Sequence, residues 1–257
     1  MILAVDVGNT ITVLGCIEAG QILHTLRMRT EADATSAENA IKIRELLKLV
    51  SVRAEDLEGA IVASVVPSST ASLAEAIEKL SGKRSLIVGP GIKTGLNVKI
   101  DDPTTLGADM AVGAVAVITN YRVPAIVIDM GTATTVTVVD EKRCFRGGAI
   151  LPGIRFGFSA LAAGTSLLPD IYIAKPAKCI ATNTVDCMRS GAILGTASMI
   201  DGMIERMEEE LGQTCFHIAT GELASAVIAC CRHEILCDEN LLLKGLWSLY
   251  QKNNRTR

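Results

Sequence analysis

Two aspartates, Asp6 and Asp129, stand in near-identical surroundings. One lies in Leu3-Ala4-Val5-Asp6-Val7-Gly8-Asn9-Thr10, the other in Ile126-Val127-Ile128-Asp129-Met130-Gly131-Thr132-Ala133. Aligning Asp6 with Asp129 also aligns Gly8 with Gly131, at one offset of 123 residues. Each apolar run ends at its carboxylate, where solvent or a cation can reach it. Each glycine lets the backbone come close to a ligand, and successive turn N–H groups can form an anion-binding concavity. Thr10 and Thr132 add hydroxyl donors. One strand-Asp-x-Gly unit alone reads as an ordinary hairpin end, because Gly, Asn and Asp are common turn formers. The matched pair points further, to two half-sites for a phosphate chain and its cation.

The elements that must position these carboxylates follow from periodicity. A strand pair is expected over 1–17, a turn over 18–21 and a third strand over 22–29. Residues 36–49 carry a helical apolar stripe, with Ser36 a possible cap. Residues 59–66 read as a buried strand stopped by Pro67, residues 73–80 as a helix ended by Gly82, and 85–88 as another strand. A helix is expected over 106–121, broken before the second strand–turn–strand at 126–139. A strand over 144–150, helices over 158–163 and 186–211, a strand over 216–219 and helices over 224–231 and 242–250 complete the chain. The last helix could pack on either half. The expected fold class is α/β: two similar domains, 1–121 and 122–257, with a nucleotide cleft between them.

The 257 residues suffice for two domains. Hydrophobic residues make up 49% and aromatics only 3%, so the core must be aliphatic. The formal net charge of −3 argues against a nucleic-acid surface. The slightly basic end, Lys252 to Arg257, reads as a frayed tail. The chain opens directly in a strand that Asp6 interrupts, which does not resemble a secretory signal. Its longest apolar stretch, near 110–119, is too short for a bilayer. A cytoplasmic protein without a membrane partner is expected. Eight cysteines are then read as buried free thiols. Cys230, Cys231, His233 and Cys237 cluster, but without paired zinc-site spacing.

The Asp6 and Asp129 turns resemble the phosphate-binding hairpins of the superfamily of acetate and sugar kinases, heat-shock ATPases and actin. Four further stretches resemble the type III pantothenate kinases, also known as the Bvg accessory factor family. They are Asp102-Pro103-Thr104-Thr105-Leu106-Gly107-Ala108-Asp109, Gly147-Gly148-Ala149-Ile150-Leu151-Pro152-Gly153-Ile154, Asn183-Thr184 with Ser190-Gly191, and Asn240-Leu-Leu-Leu-Lys-Gly-Leu246. They span nearly the whole chain in the family's order. The resemblance implies a duplicated actin-like (ribonuclease H-like) fold and a cytoplasmic homodimer. It implies ATP-dependent phosphorylation of pantothenate, the first step of coenzyme A biosynthesis, with Mg2+ and a monovalent cation, K+ or NH4+. By position, Asp6, Val7, Gly8, Asn9, Thr10, Ile11, Thr12 and Val13 would hold the ATP phosphates, with Asp6 reaching Mg2+ through water. Thr132 would touch ATP and Asp129 the monovalent cation. Gly107, Ala108, Asp109, Met110 and Thr184 would line the pantothenate site, Thr184 from the partner subunit. Asp109 would be the general base; read without the resemblance, it is a helix N-cap.

Three positions depart from the family pattern. Met110 replaces an arginine that would meet the pantothenate carboxylate, a role for which Arg155 is another candidate. Ile100 stands where some members have tyrosine. Thr220-Gly221-Glu222 replaces Thr-Gly-Gly and brings a carboxylate toward the nucleotide. Two other readings therefore stand beside the first: a kinase for a different small hydroxy acid, and a non-catalytic regulator acting through a protein partner.

Overall fold

β1 (Ile2–Val7) is apolar on both faces, which makes it a central strand. The computed structural model describes residues 1–254. They form two compact units: 1–96 with 101–121 and the segment from Asn240, and 97–100 with 122–239. The expected second domain, 122–257, is thus corrected at its end, because the C-terminal helix packs with the first unit.

In the first unit β1 pairs antiparallel with β2 (Ile11–Glu18), which pairs with β3 (Gln21–Arg29). On its other side β1 runs parallel to β4 (Gly59–Ser64), and β4 to β5 (Ser85–Ile87). The order is β3-β2-β1-β4-β5. The second unit contains β6 (Asn97–Val98), β7 (Ala125–Met130), β8 (Ala133–Val139), β9 (Cys144–Pro152), β10 (Phe216–Thr220) and β11 (Leu236–Cys237). Its order, β11-β10-β7-β8-β9-β6, repeats the first sheet read backwards, with β6 added beside β9. The sequence repeat is therefore a repeat of topology.

The repeat extends to the side chains. Leu3, Val5 and Val7 pack against Ile43, Leu47, Leu73 and Ile77, from α1 (Ser36–Leu49) and α2 (Pro67–Ser81). At the same 123-residue offset, Ile126, Ile128 and Met130 pack against Ile193, Ile200 and Val227. These come from the turn before α6 (Thr196–Leu211), from α6 and from α7 (Ala224–Ile228). Strand side chains alternate faces, so Asp6 and Asp129 lie on the opposite face of their sheets. In the first unit that face carries Ile2, Ala4, Ile61 and Ala63 under α3 (Ala108–Asn120) and α8 (Leu241–Asn254). The two helices approach closely because Gly245 has no side chain: a Cβ there would stand 2.3 Å from the Val112 carbonyl oxygen.

Several boundaries differ from expectation for local reasons. Thr35, not Ser36, caps α1, in a capping box with Glu38. Pro67 stops β4 but also opens α2 as its first residue, where its missing N–H costs nothing. α4 (Ile154–Ala163) starts at the Pro152-Gly153 turn. The expected helix over 186–211 is divided into α5 (Thr184–Ser190), a wide π turn at Gly191–Gly195 and α6. Lys252 and Asn253 are not frayed. Lys252 Nζ donates to the Thr94 carbonyl at 3.0 Å and Asn253 Nδ2 to that of Lys93 at 3.1 Å. The remainder of the expected tail, 255–257, lies outside the described residues. No helix among the described residues is long and apolar enough to cross a membrane.

All eight cysteines are free, but the expected burial is corrected: only Cys16 and Cys144 are buried, Cys179 and Cys187 are exposed, and Cys215, Cys230, Cys231 and Cys237 are half-buried. Burial pushes the thiols of Cys16 and Cys215 up to about 11 and that of Cys231 to about 12, which keeps them protonated and unreactive. His233 serves a carboxylate: its Nδ1 lies 3.0 Å from Asp201 Oδ1, and Asp201 also accepts the Arg232 N–H at 2.9 Å. Glu208 likewise takes the Cys215 N–H at 2.6 Å and meets His217 Nε2 at 2.9 Å. Burial alone would raise both carboxyls. The hydrogen bonds outweigh it and hold both below their ordinary 3.8 and 4.5. A carboxyl lowered in the folded state stabilises above its unfolded value and loses that contribution as pH falls through the folded one. Stability measured by urea melts is expected to be flat from about pH 7 to 5 and to fall below about pH 4. Asp201→Ala should cost about 2–4 kcal/mol at neutral pH and weaken the acid dependence.

Candidate active site

The first turn is held by its own backbone and by Thr30. The Gly8 N–H donates to the Ile11 carbonyl at 3.1 Å, and the Thr30 N–H to that of Thr10 at 2.9 Å. Thr30 Oγ1 donates to the Gly8 carbonyl at 2.7 Å and lies 2.9 Å from Thr12 Oγ1. Since the Thr30 proton goes to Gly8, Thr12 is the donor in the second bond. Asn9 and Thr10 are exposed at the tip, and Asp6, Gly8, Ile11 and Val13 are half-buried. Val7 and Thr12 are buried, so within the expected phosphate-binding run their side chains are not offered to a ligand.

The second turn is one residue shorter. The Gly131 N–H donates to the Ala133 carbonyl at 3.0 Å, and the strand pairing then places Thr134 opposite Met130, as Thr12 stands opposite Val7. Gly131, Thr132 and Ala133 are exposed and Asp129 is half-buried. Thr134 takes the place of Thr12, but its buried hydroxyl has no hydrogen-bond partner. This contrast predicts different costs. Thr30→Val should destabilise by about 1–2 kcal/mol, having lost two bonds, whereas Thr134→Val should be neutral or stabilising in thermal melts.

Two distant turns support the second tip. The Gly153 N–H donates to the Thr132 carbonyl at 3.0 Å. A Cβ on Gly153 would stand 2.3 Å from the Gly131 carbonyl oxygen and 2.4 Å from that of Thr132. Gly221 sits at φ +104°, and a Cβ there would stand 2.5 Å from the Met130 carbonyl oxygen. The Pro-Gly and Thr-Gly pairs signalled turns, but nothing in the sequence said that both turns meet the Asp129 hairpin. Just beyond the two glycines, Arg155 Nη2 donates to Glu222 Oε1 at 2.7 Å. Arg155 thus has a carboxylate partner within the chain.

Asp109 is in the first turn of α3 but is not its cap; that position is Gly107. The N-cap reading of Asp109 is therefore corrected. Its Oδ1 accepts the Met110 N–H at 2.8 Å, and a Cβ on Gly107 would stand 2.5 Å from that oxygen. The glycine leaves room for the carboxylate to fold back over the helix start, where negative charge is favoured. Asp102 has a different task. Its Oδ1 accepts the Thr104 hydroxyl at 2.6 Å and the Thr104 N–H at 2.9 Å, which lowers its carboxyl and fixes the short 3-10 turn before Gly107. Asp6 lies on the sheet face that α3 covers, so Asp6 and Asp109 belong to one side of the first sheet. Ala108 packs on that side's core, and Met110 is half-buried. Thr184 is the exposed first residue of α5, capped by Asn183, whose Oδ1 accepts the Asp186 N–H at 3.0 Å. Among the described residues no three His, Cys, Asp or Glu side chains form a metal cage.

Residues 2–206 match the family model of the type III pantothenate kinases. The chain is 42% identical over 253 residues to the type III pantothenate kinase of Halalkalibacterium halodurans, covering 98% of this chain and all of that one. It belongs to the type III pantothenate kinase family. Solved structures agree on the fold. A conserved Baf family protein of Campylobacter jejuni, described as a transcriptional activator, superposes with a TM-score of 0.63 at 16% identity, over 99% of this chain and all of that one. A ROK family glucokinase of Streptomyces griseus, solved with glucose and AMPPNP, gives 0.55 at 12% identity, over 99% of each chain. These likenesses extend to the duplicated actin-like fold of sugar kinases and ATPases. For a type III pantothenate kinase, the departures at Met110 and Glu222 now have surroundings: Met110 presents no charge, and the Glu222 charge is met by Arg155.

Proposed function

We infer that this chain transfers the γ-phosphoryl group of ATP to the primary hydroxyl of pantothenate, giving 4'-phosphopantothenate and ADP, the entry step to coenzyme A. The observation that carries the reading is the 42% identity along the full length of a curated relative. The half-buried Asp109 supports it chemically. A primary alcohol is a weak nucleophile, and a carboxylate within hydrogen-bond reach can take its proton as the oxygen attacks phosphorus. Asp109 accepts that proton while ADP leaves with the electron pair of the broken P–O bond. The rest is alignment and charge neutralisation. The exposed tips at Asn9 and Thr10, and at Gly131 and Thr132, offer turn backbone of the kind that suits phosphate oxygens.

Asp6 would hold Mg2+ through water. One carboxylate at a strand end fits this ion, which keeps most of its waters and needs no protein cage. Asp129, half-buried at the matching strand end, would hold the monovalent cation, K+ or NH4+. When bound, these ions neutralise the phosphate charge. Thr184 would reach pantothenate from the partner of a homodimer. The partner surface would come from residues 150–180, which supply six of the eleven large hydrophobics exposed among the described residues. A cytoplasmic location follows from the role.

The test is a coupled ADP assay with pantothenate, with and without K+, beside sedimentation of the protein. ADP release that requires both pantothenate and K+, from a dimer, is the expected result. Release with K+ but only on another acid would replace the substrate. Met110 favours that second reading: an absent charged hydrogen bond is worth about 1.5–3 kcal/mol, or roughly 10- to 100-fold in affinity.

A further inference from the structure

Glu222 is an odd residue to find at a phosphate-binding turn. It directly follows Gly221, whose position is packed against the Met130 carbonyl at the root of the second tip. Its side chain is 64% exposed, so burial does not neutralise it. A bare carboxylate there would repel any polyphosphate approaching Gly131 and Thr132. Arg155 lies two residues beyond Gly153, and Gly153 is packed against the carbonyls of Gly131 and Thr132. Its guanidinium meets Glu222 at 2.7 Å and is itself 51% exposed. Both members of the pair therefore stem from the two turns that clasp the Asp129 hairpin. No other basic side chain is paired with Glu222 among the described residues.

A pair this exposed adds little to folding; such bridges contribute about 0–1 kcal/mol. Its effect lies in the local field. An anion within about 10 Å, the screening length at 0.1 M salt, feels either a net zero or a full negative charge, depending on Arg155. Arg155 has five N–H donors, and one hydrogen bond to Glu222 leaves the rest of the fork available.

We propose that Arg155 is a positioning residue for the nucleotide: it cancels the Glu222 carboxylate beside the second phosphate turn and so permits a polyphosphate to bind there. The proposal rests on the nucleotide reading given above. It assigns the two residues one shared role, in which each matters only while the other is present.

The experiment is a charge cycle read as the Kd of Mg-ATP by calorimetry on the intact protein and, in parallel, as KM for ATP, with K+ fixed and NaCl varied. Arg155→Ala should raise Kd and KM for ATP about three- to tenfold at low salt. The increase should shrink to under about twofold near 0.5 M NaCl, where charges are screened. The kcat and the KM for pantothenate should stay within about twofold, because chemistry at Asp109 is untouched. Arg155→Lys should restore ATP binding. Arg155→Ala combined with Glu222→Gln should also restore it, although the ion pair is then gone, which a merely structural bridge would not allow. ATP affinity unchanged in Arg155→Ala, or a double variant no better than the single one, would overturn the proposal. If the unaltered protein binds ATP but does not phosphorylate pantothenate, the substrate reading fails while the Kd cycle still decides the role of Arg155.

Discussion

Asp109→Asn is expected to lower kcat for pantothenate phosphorylation by about 100- to 10,000-fold, the range for loss of a positioned general base. Fold and ATP affinity should survive. Asparagine keeps the shape and still offers an oxygen to the Met110 N–H, now 2.8 Å from the carboxylate. What it loses is basicity, together with the favourable charge at the start of α3. That charge is worth about 0.3–1 kcal/mol, or a melting shift of roughly 1–4 °C in a chain of this size. Steady-state kinetics beside a thermal melt separates the two effects. A variant that retains kcat within tenfold of the parent would remove Asp109 from the proton transfer. A variant that melts far below the parent would mean that the carboxylate is structural.

The second large effect is steric. Gly153→Ala places a methyl group 2.3 and 2.4 Å from two backbone carbonyl oxygens, those of Gly131 and Thr132. Neither oxygen belongs to a flexible side chain, so the turn itself must move. Overpacking of this kind, with loss of the Gly153–Thr132 hydrogen bond, should cost about 2–4 kcal/mol, or roughly 4–16 °C in Tm. ATP binding should weaken with it, because the displaced atoms form the tip. Gly221→Ala should act in the same direction, with the added strain of φ +104°. Gly89→Ala is the control: nothing lies within 4 Å of the added carbon, so it should be nearly neutral. A Gly153→Ala protein that melts and binds ATP like the parent would show that the tip tolerates repositioning.

Much of the architecture was legible because it is periodic or repeated. The continuous apolar runs of β1 and β7 mark both as buried central strands with a carboxylate near the end, and the 123-residue offset carries over from Leu3 and Ile126 to Asp6 and Asp129. Helix ends were less legible because they depend on single residues with two meanings. Pro67 both ends a strand and starts a helix, and the Asp109 that looks like a cap stands two residues inside one. The wide turn at Gly191–Gly195 also escaped detection, since it keeps the helical apolar pattern on both sides.

By itself the sequence determined the α/β class, the duplication and the two Asp-x-Gly turns, because these are written in residue types at short range; Asp109 stood out as a base only through the family resemblance. Only the tertiary structure decided which residues serve those turns. It brought Thr30 to the first, Gly153 and Gly221 to the second, and Arg155 to Glu222, and it returned α8 to the first unit. The physical reason is that close approach and charge pairing are set by packing between segments far apart in the chain. Glycine, arginine and glutamate carry no local mark of the partner they will meet.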